Sequence, residues 1–466
     1  MTFRWYILSL LILFCFLLAV PQIIRIPLQV NNSYNEGWNA YHTQDLLHEK
    51  SLYTSGLTTN NYPPVSFLTT AGIASLFHLD PLFAGRYINL VSLFFIILFI
   101  ILITKQITKK IFESALAGVF CLGILLTIKD QYIGINDPQL LSLAFLMFGL
   151  YAYVKQFQAS LLITALFFSL ALFTKNNLIA LPIIVGLDIF LKSNKKLLWY
   201  GGYLFFFSGI LFLLSQILAN GQFLNFLVLS REYSLLRIFY FNVPILSKIA
   251  LPILLGSFIW IILPWKKKFI SHWFVLSFVV GLFFSGGSGV DANIFFDMFI
   301  ALSISIGIYL STLKKQIIYT TLLLTVTINI ALFLPIKLIQ HSYSTNTKKE
   351  QTEIAYDIHL LTQQKSPVIC EDLILCYFAK QPFMYDAFYT KQLMITGKVK
   401  EADIISQIKQ HRYSMIEIEH KTERFPPNVL SAIQQNYKIV RKDSIGIFYA
   451  PFINTSFTAP ISVKNS

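Results

Sequence analysis

Long apolar runs without charged side chains constrain the fold of this chain more than any other feature. The hydrocarbon core of a bilayer is about 30 Å thick, so a spanning helix needs roughly 20 mainly apolar residues. Runs of this kind recur from Trp5 to residue 337, and only 13% of all residues are charged. Soluble domains have about 25% charged residues, so a soluble enzyme and a disordered chain are excluded. Four cysteines in 466 residues are too few for a disulfide-built secreted scaffold. The sequence predicts an integral membrane protein.

About eleven segments are predicted to cross the membrane as helices. The first follows Arg4 and is longer than the apolar core of a signal peptide, so we expect an uncleaved anchor. The stretch 66–79 is too short to span, and we expect it to re-enter the membrane or to lie at its surface. The predicted spans are 5–24, 84–104, 111–128, 138–154, 158–174, 177–191, 199–218, 247–264, 269–285, 293–312 and 316–337.

The charges of the loops predict the orientation of these spans. Lysines such as Lys109, Lys195 and Lys267 concentrate in alternate short loops, whereas the acidic residues concentrate in the other loops. Cytoplasmic loops are enriched in Lys and Arg, so the N-terminus is predicted to be cytoplasmic and the acidic loops extracytoplasmic. An odd number of spans puts the C-terminus outside as well. The net charge of +14 then reflects topology and not nucleic-acid binding.

The composition changes near residue 342. The segment 342–466 is polar, and short apolar runs alternate in it with helical patterns such as 401–410 and 427–436. This alternation predicts a small extracytoplasmic α/β domain after an all-α polytopic membrane domain, 1–341. Cys370 and Cys376 both lie in this domain and could oxidise to a disulfide.

The first outer loop, about 25–83, carries the first candidate for chemistry. Apolar and aromatic residues after Glu36, among them Trp38, Tyr41 and His42, have the spacing of a helix lying along the membrane surface. A carboxylate at the start of such a helix can accept a proton from a substrate hydroxyl. The alternative is that Asn35 and Glu36 only cap the helix.

Two further outer loops contain acidic residues. Asp130 and Asp137 follow the third span, and Asp137 stands before a proline, which is typical of a helix start. The loop 286–293 is rich in glycine and contains Asp291, so its backbone N–H groups could approach an anion. The alternatives are again a helix cap and a simple turn.

Several basic residues of the outer loops are candidates for binding a phosphate. Arginine forks match phosphate oxygens, although single cations also contact anionic lipid headgroups. Arg231 and Arg237 alternate with aromatic residues and are the first choice for a phosphate or sugar pocket. Motifs for ATP binding, for a serine nucleophile or for a zinc protease are absent from the sequence. The outer-loop cations weighed together are Arg86, Lys129, Lys175, Arg231 and Arg237.

The order of these motifs resembles bacterial GT-C glycosyltransferases. The resemblance rests on Tyr34-Asn35-Glu36-Gly37, a surface helix, Leu52-Tyr53, Asn61-Tyr62-Pro63-Pro64 and the late stretch GGSGVDANIFFD. The C-terminal segments PVICED, QPFMYDAF and SIGIFYAP are similar to the small outer domain of these enzymes. The likeness covers most of the chain and is greatest to the RgtA/B/C/D-like branch, which is related to protein O-mannosyltransferases and aminoarabinose transferases.

The resemblance implies an active site on the outer face of a bacterial inner membrane. It implies a sugar donor on a polyprenyl phosphate and transfer, with inversion, to a hydroxyl of a glycan, lipid or protein. The acid near the acceptor corresponds to Glu36, although Asn35 stands where relatives often have Asp, and a second acid corresponds to Asp130 or Asp137. No cofactor is certain; a divalent metal ion between acid and phosphate is left open. Residues predicted to bind substrate are Arg231, Arg237, Lys129, Arg86, Tyr62, Asp291 and Asn293.

Two other functions are compatible with a membrane protein that handles lipid-linked sugars. A transporter or flippase would carry ionisable residues within its spans and show repeated halves, whereas these spans are nearly free of charge. An O-antigen ligase or polymerase usually has its large functional loop late in the chain. The acidic first loop therefore favours a glycosyltransferase.

Overall fold

A computed structural model describes residues 2–54, 56–227, 231–263, 269–314, 347–365 and 367–452. The chain forms two compact units, Met1–Lys348 and Lys349–Ser466. The predicted span at 316–337 lies outside the described residues, and the predicted domain boundary at 341/342 stays a prediction.

All the regular secondary structure described in the first unit is helical, apart from one isolated β-bridge between Tyr233 and Gly287. Short 3-10 helices, Asp130–Gly134 and Ala292–Phe295, precede α6 and α13. The helices are α1 (Thr2–Arg25), α2 (Tyr34–Leu47), α3 (Val65–Phe77), α4 (Pro81–Thr108), α5 (Ile111–Lys129), α6 (Pro138–Lys155), α7 (Ser160–Leu172), α8 (Ala180–Phe190), α9 (Asn194–Leu218), α10 (Phe223–Leu227), α11 (Leu235–Ile262), α12 (Phe269–Ser285) and α13 (Phe296–Thr312).

Five helical segments among the described residues are long and apolar enough to cross a membrane: α1, α4, α5 with its following 3-10 helix, α9, and α13 with its preceding 3-10 helix. Shorter apolar helices include α3, α7, α8 and α12. The prediction of a polytopic helical protein is confirmed at this level, whereas the count of eleven spans stays a prediction. The stretch 66–79, predicted to be too short to span, forms most of the 13-residue helix α3.

Proline and an acidic cap start the two helices that matter most for the site. The Asp80 carboxylate accepts the backbone N–H of Leu82 and starts α4, and the Asp137 carboxylate accepts that of Gln139 and starts α6. In both helices proline occupies the first turn, where its missing N–H costs no hydrogen bond. The start of each helix is therefore fixed by its local sequence.

The core of the first unit surrounds α13, which buries nearly all of its side chains against α4, α5 and α12. Gly307 permits this close approach, because a Cβ there would lie 2.7 Å from the Thr104 side chain. By contrast, α9 exposes most of its side chains, as expected of a helix that faces lipid.

The second unit contains a four-stranded sheet with strand order β1-β2-β4-β3. β1 and β2 are parallel, and β4 is antiparallel to both β2 and β3. A disulfide joins Cys370, the last residue of β1, to Cys376. The predicted α/β character of this region is confirmed. Its elements are α14 (Thr347–Thr362), β1 (Val368–Cys370), α15 (Leu373–Phe378), α16 (Ala387–Ile395), α17 (Glu401–Lys409), β2 (Met415–Glu419), α18 (Pro427–Asn436), β3 (Tyr437–Lys442) and β4 (Gly446–Pro451).

Candidate active site

Glu36 forms a fully buried ion pair with Arg86. Glu36 lies in the first turn of α2, Arg86 lies on α4, and both side chains are 0% exposed. Arg86 Nε donates to Glu36 Oε1 at 2.7 Å and Nη2 donates to Oε2 at 2.8 Å, a bidentate arrangement. The same guanidinium donates to the backbone carbonyls of Arg25, Ile26, Leu28 and Val30.

Backbone N–H groups complete the contacts of the Glu36 carboxylate. Oε1 accepts the N–H of Asn136 at 3.0 Å, and Oε2 accepts that of Asn32 at 3.1 Å. Each oxygen thus receives one bond from Arg86 and one from the backbone. The pair joins the end of α1, the start of α2, α4 and the segment before α6.

Asp137 has a different environment, although it is also buried. Its Oδ1 accepts the backbone N–H of Gln139 at 2.8 Å and lies 3.4 Å from Lys175 Nζ. Its Oδ2 is buried and has no hydrogen-bond partner among the described residues. The Lys175 ammonium also lies 5.6 Å from the ring centre of Tyr62, so Tyr62, Asp137 and Lys175 form one cluster.

A small cavity of mixed polar and apolar lining includes Asp137 in its wall. Asn39, Ser66 and Asn136 line it together with Gly85 of α4. A Cβ at Gly85 would lie 1.9 Å from Asn136 Oδ1, so only glycine leaves room for that amide. The Asn39 side chain fixes this segment by donating to the Asn136 carbonyl at 2.8 Å.

A second acid–base pair is more open to solvent. Lys129 Nζ lies 3.0 Å from Asp291 Oδ2, with 31% and 34% of the two side chains exposed. The Tyr132 hydroxyl donates to the same Asp291 oxygen at 3.4 Å.

The glycine-rich segment before Asp291 is held by Arg237. Arg237 Nε donates to the Gly287 carbonyl at 3.0 Å, and Nη2 donates to that of Val290 at 3.4 Å. Gly289 in this turn has a φ of +78°, a conformation that favours glycine. These contacts fix the backbone that presents Asp291.

The remaining predicted residues lie at the margins of this arrangement. Asp130 accepts a hydrogen bond from Gln22 at 3.2 Å and is partly exposed. Arg231 is partly exposed just before α11, and Asn293 is buried in the 3-10 helix after Asp291.

The structure therefore brings Tyr62, Asp137 and Lys175 together in one group, and Lys129, Tyr132 and Asp291 in another. It separates Glu36 and Arg86 into a buried pair beside them. Tyr132 was not predicted, and Lys175 was weighed only as one of several outer cations. A lone lysine between two apolar runs is the one sequence signal that marks Lys175.

The described residues do not offer a metal site built from protein side chains alone. Within these ranges no three His, Cys, Asp or Glu side chains lie close enough to hold one ion. The acids of the site pair instead with Lys129 and Lys175.

No protein-family model matches the sequence, and no curated protein matches it. The fold is similar to the crystal structure of ArnT from Cupriavidus metallidurans bound to undecaprenyl phosphate, with a TM-score of 0.60 and 13% identity over 95% of this chain and 97% of that one. The apo state of the same ArnT gives a TM-score of 0.58, 14% identity and coverage of 89% and 93%.

A more distant similarity extends to another enzyme. The apo oligosaccharyltransferase of Archaeoglobus fulgidus matches with a TM-score of 0.51 and 10% identity, over 96% of this chain and 75% of that one. ArnT and this oligosaccharyltransferase are both members of the GT-C superfamily. The resemblance drawn from the sequence motifs is thus confirmed at the level of the fold: the chain has the fold of GT-C glycosyltransferases.

Proposed function

We propose that this chain is a membrane glycosyltransferase that moves a sugar from a polyprenyl phosphate to a hydroxyl acceptor. The observation that carries the proposal is the buried Asp137 carboxylate: its Oδ2 has no partner among the described residues, and Asp137 is one of the residues that line a small cavity. The fold shared with ArnT bound to undecaprenyl phosphate supports the lipid-linked donor. We also propose that this face is extracytoplasmic in a bacterial inner membrane, as the loop charges predict.

In the proposed reaction Asp137 acts as the general base. Its Oδ2 accepts the proton of the acceptor hydroxyl while the hydroxyl oxygen attacks the anomeric carbon of the donor sugar. The bond between that carbon and the phosphate oxygen breaks, and the polyprenyl phosphate leaves with both electrons. Attack opposite to the leaving group inverts the anomeric configuration. The Lys175 ammonium beside Oδ1 keeps the aspartate in an ion pair before the proton arrives.

A phosphate that gains charge as it leaves needs a cation within reach. Lys129 is the best candidate, because it is one-third exposed and lies next to Asp291 at the open side of the site. Arg231 is partly exposed and is a second candidate. Arg237 has a supporting role in this proposal, since its guanidinium donates to the backbone of the glycine-rich turn.

The contacts of Glu36 support an anchoring role more strongly than the role of a base. An anchored carboxylate that receives four hydrogen bonds and has no exposed surface has to break them before it can reach an acceptor. Breaking a buried ion pair costs about 3–5 kcal/mol. Its predicted catalytic role, like that of Asp130, stays a prediction for the experiment below.

The test compares purified wild type with Asp137→Asn, using radiolabelled polyprenyl-phosphate sugars and a membrane extract as the source of acceptor. We expect the substitution to lower transfer by about 10²–10⁴-fold, because it removes the base, while donor binding persists. Asp45→Asn is the matched control, since Asp45 lies in α2, pairs with the exposed Lys50 and does not line the cavity. The control should transfer normally.

Two further variants separate the alternatives. Transfer that persists in Asp137→Asn but is lost in Glu36→Gln or Asp130→Asn, with thermal unfolding unchanged, would assign the base to that residue instead. If the wild type transfers no label but moves labelled lipid across the membrane of proteoliposomes, the transporter alternative is supported and the glycosyltransferase proposal is wrong.

A further inference from the structure

Lys175 is a buried cation with two partners of different kinds. It follows α7, its side chain is 10% exposed, and its Nζ lies 3.4 Å from Asp137 Oδ1. No other hydrogen bond or ion pair of this ammonium occurs among the described residues. Hydrogen bonds between an ammonium and a carboxylate usually measure about 2.7–2.9 Å. The ion pair with the proposed base is therefore longer than usual.

The second partner of the ammonium is the ring of Tyr62. Lys175 Nζ lies 5.6 Å from the ring centre, within the distance of about 6 Å at which the negative face of a ring attracts a cation. This attraction is strongest where water is excluded, as it is around the buried Lys175 side chain. The Asp137 carboxylate and the Tyr62 ring thus share one ammonium.

Neighbouring groups fix both the ring and the backbone of Tyr62. The Trp38 ring of α2 contacts the Tyr62 ring edge to face, with 5.3 Å between ring centres and 76° between ring planes. The Tyr62 N–H donates to Asn60 Oδ1 at 2.8 Å, and the Tyr62 carbonyl accepts the Tyr53 hydroxyl at 2.9 Å. These contacts hold the ring in place independently of Lys175.

A backbone hydrogen bond joins the segments that carry Tyr62 and Lys175. The Val65 N–H, at the start of α3, donates to the Phe173 carbonyl at 3.1 Å. Val65 follows Tyr62 by three residues, and Phe173 precedes Lys175 by two. The approach of the ring to the ammonium is therefore supported by the backbone, and it does not depend on the lysine side chain alone.

The charge of Asp137 changes in the proposed reaction, whereas the charge of Lys175 does not. When Asp137 accepts the proton of the acceptor hydroxyl, Lys175 loses its counter-ion, and a buried cation without a partner is strongly unfavourable. The Tyr62 ring is then the remaining partner, and the ammonium can settle over it. The ring therefore stabilises the state with protonated Asp137 more than it stabilises the resting ion pair, which is the condition for an increase in rate.

We infer that Tyr62 is a positioning residue that acts on the proposed base through Lys175. Its ring draws the ammonium away from Asp137, which favours proton uptake by the carboxylate, and holds the ammonium after the proton has arrived. The inference rests on the proposed function and adds a residue to it. It also differs from the role that the sequence resemblance predicts for Tyr62, which is direct binding of substrate.

The test changes the charge of the ring face and keeps the shape of the ring. Phenylalanine with one, two or three fluorine atoms is placed at position 62 of the full-length protein in nanodiscs, because each fluorine makes the ring face less negative. We expect Tyr62→Phe to transfer label from the polyprenyl-phosphate sugar as wild type does, and kcat to fall with each added fluorine. Tyr62→Leu, which has no ring face, should lower kcat about tenfold. KM for donor and acceptor should stay unchanged.

The matched control places the same fluorinated residues at Phe223 of α10, which contacts the rings of Tyr53 and Phe173 and no cation among the described residues. These variants should transfer as wild type does. If fluorine at position 62 leaves kcat unchanged, the inference is wrong and the proposed function survives. A raised KM in the Tyr62 variants assigns the ring to substrate binding and also overturns the inference. A wild type that transfers no label overturns both proposals.

Discussion

At the scale of single residues, hydrogen-bond satisfaction distinguishes the two candidate carboxylates. Each oxygen of Glu36 accepts one hydrogen bond from Arg86 and one from a backbone N–H group, contacts that favour an anchoring role. Asp137 uses Oδ1 in the same way but leaves Oδ2 without a partner among the described residues. An unsatisfied buried oxygen costs free energy in the resting protein, and a substrate hydroxyl removes that cost on binding.

The glycine at position 85 gives a residue-scale prediction. Gly85→Ala puts a methyl group 1.9 Å from Asn136 Oδ1, so the Asn136 amide has to move and the adjacent Asp137 shifts with it. A displacement of about 1 Å at a reacting group costs roughly 100-fold in rate, and we expect a loss of that order in the transfer assay. Gly72→Ala on α3 is the control, because nothing lies within 4 Å of its Cβ. Normal transfer by Gly85→Ala would show that Asn136 need not hold its observed position.

Some of these residues could be predicted from sequence and others could not. Asp137 and Asp291 are visible because they stand at helix starts in otherwise apolar surroundings. The Glu36–Arg86 pair spans 50 residues and the Tyr132–Asp291 contact spans 159, and no local pattern reports such pairings. His42, which the spacing assigns to the predicted surface helix, is buried, and burial lowers its pKa to about 3, so it is neutral at physiological pH.

At the scale of elements, helix capping and chemistry are combined in the same side chains. Asp137 caps α6 with one oxygen, and Asp291 caps the 3-10 helix Ala292–Phe295 by accepting the N–H of Ala292 at 2.7 Å. In each case the second oxygen takes no part in the cap: Asp137 Oδ2 has no partner among the described residues, and Asp291 Oδ2 lies 3.0 Å from Lys129 Nζ. From the sequence, a helix cap and a functional group are alternative interpretations of these acids. Because only one oxygen of each carboxylate is used for capping, the two interpretations are compatible.

The disulfide gives a prediction for the elements that it joins. Cys370 ends β1 and Cys376 lies in α15, six positions later, so the bond closes a short loop. Closing a loop of this size stabilises a fold by about 2 kcal/mol in the chain-entropy description. Reduction of the full-length protein should therefore increase hydrogen exchange in β1 and α15. A Cys376→Ser variant should exchange as the reduced wild type does and respond no further to reductant; unchanged exchange in both would contradict the prediction.

Helix type was easier to predict than helix length. Apolar runs identify α4, α5 and α13 because their hydrophobic stretches are long. The ends of α7 and α8 are set by tertiary contacts, for example the bond from the Val65 N–H to the Phe173 carbonyl just after α7, which hydropathy does not detect. These helices have 13 and 11 residues, shorter than the segments predicted for them.

At the scale of the whole molecule, the fold persists with little sequence identity. The chain matches 97% of ArnT at 13% identity, so the order of apolar helices is retained while most side chains differ. A membrane helix needs apolar character more than particular residues, which explains how a fold survives such divergence. The same tolerance explains why the fold class could be predicted from sequence and the pairing of site residues could not.

The second unit is predicted to lose stability as pH rises. Burial and the nearby Asp443 charge raise the pKa of Asp357 from its usual 3.8 to about 7, and burial raises the pKa of Glu371 and Glu417 as well. The folded unit therefore binds more protons than the unfolded one between about pH 4 and pH 7, so its stability decreases across that window.

Hydrogen exchange of β2 and β4 in the full-length protein tests this expectation. After correction for intrinsic rates, protection should be greater at about pH 5 than at about pH 8. Asp357→Asn should weaken the dependence, because one of the three shifted groups no longer titrates. Protection that is equal or greater at the higher pH would show that these carboxyls are ionised in the folded unit.

The hydrogen bonds from Arg86 to Glu36 and to the carbonyls after α1 also have a consequence for folding during synthesis. Glu36 and the carbonyls between Arg25 and Val30 emerge from the ribosome some 50 residues before Arg86, which holds them in the mature fold. At translation rates of about 5–20 residues per second, the segment waits several seconds for its partner. The segment from α1 to the start of α2 therefore cannot complete these contacts before α4 has been synthesised. Insertion of α4 is the event that completes it.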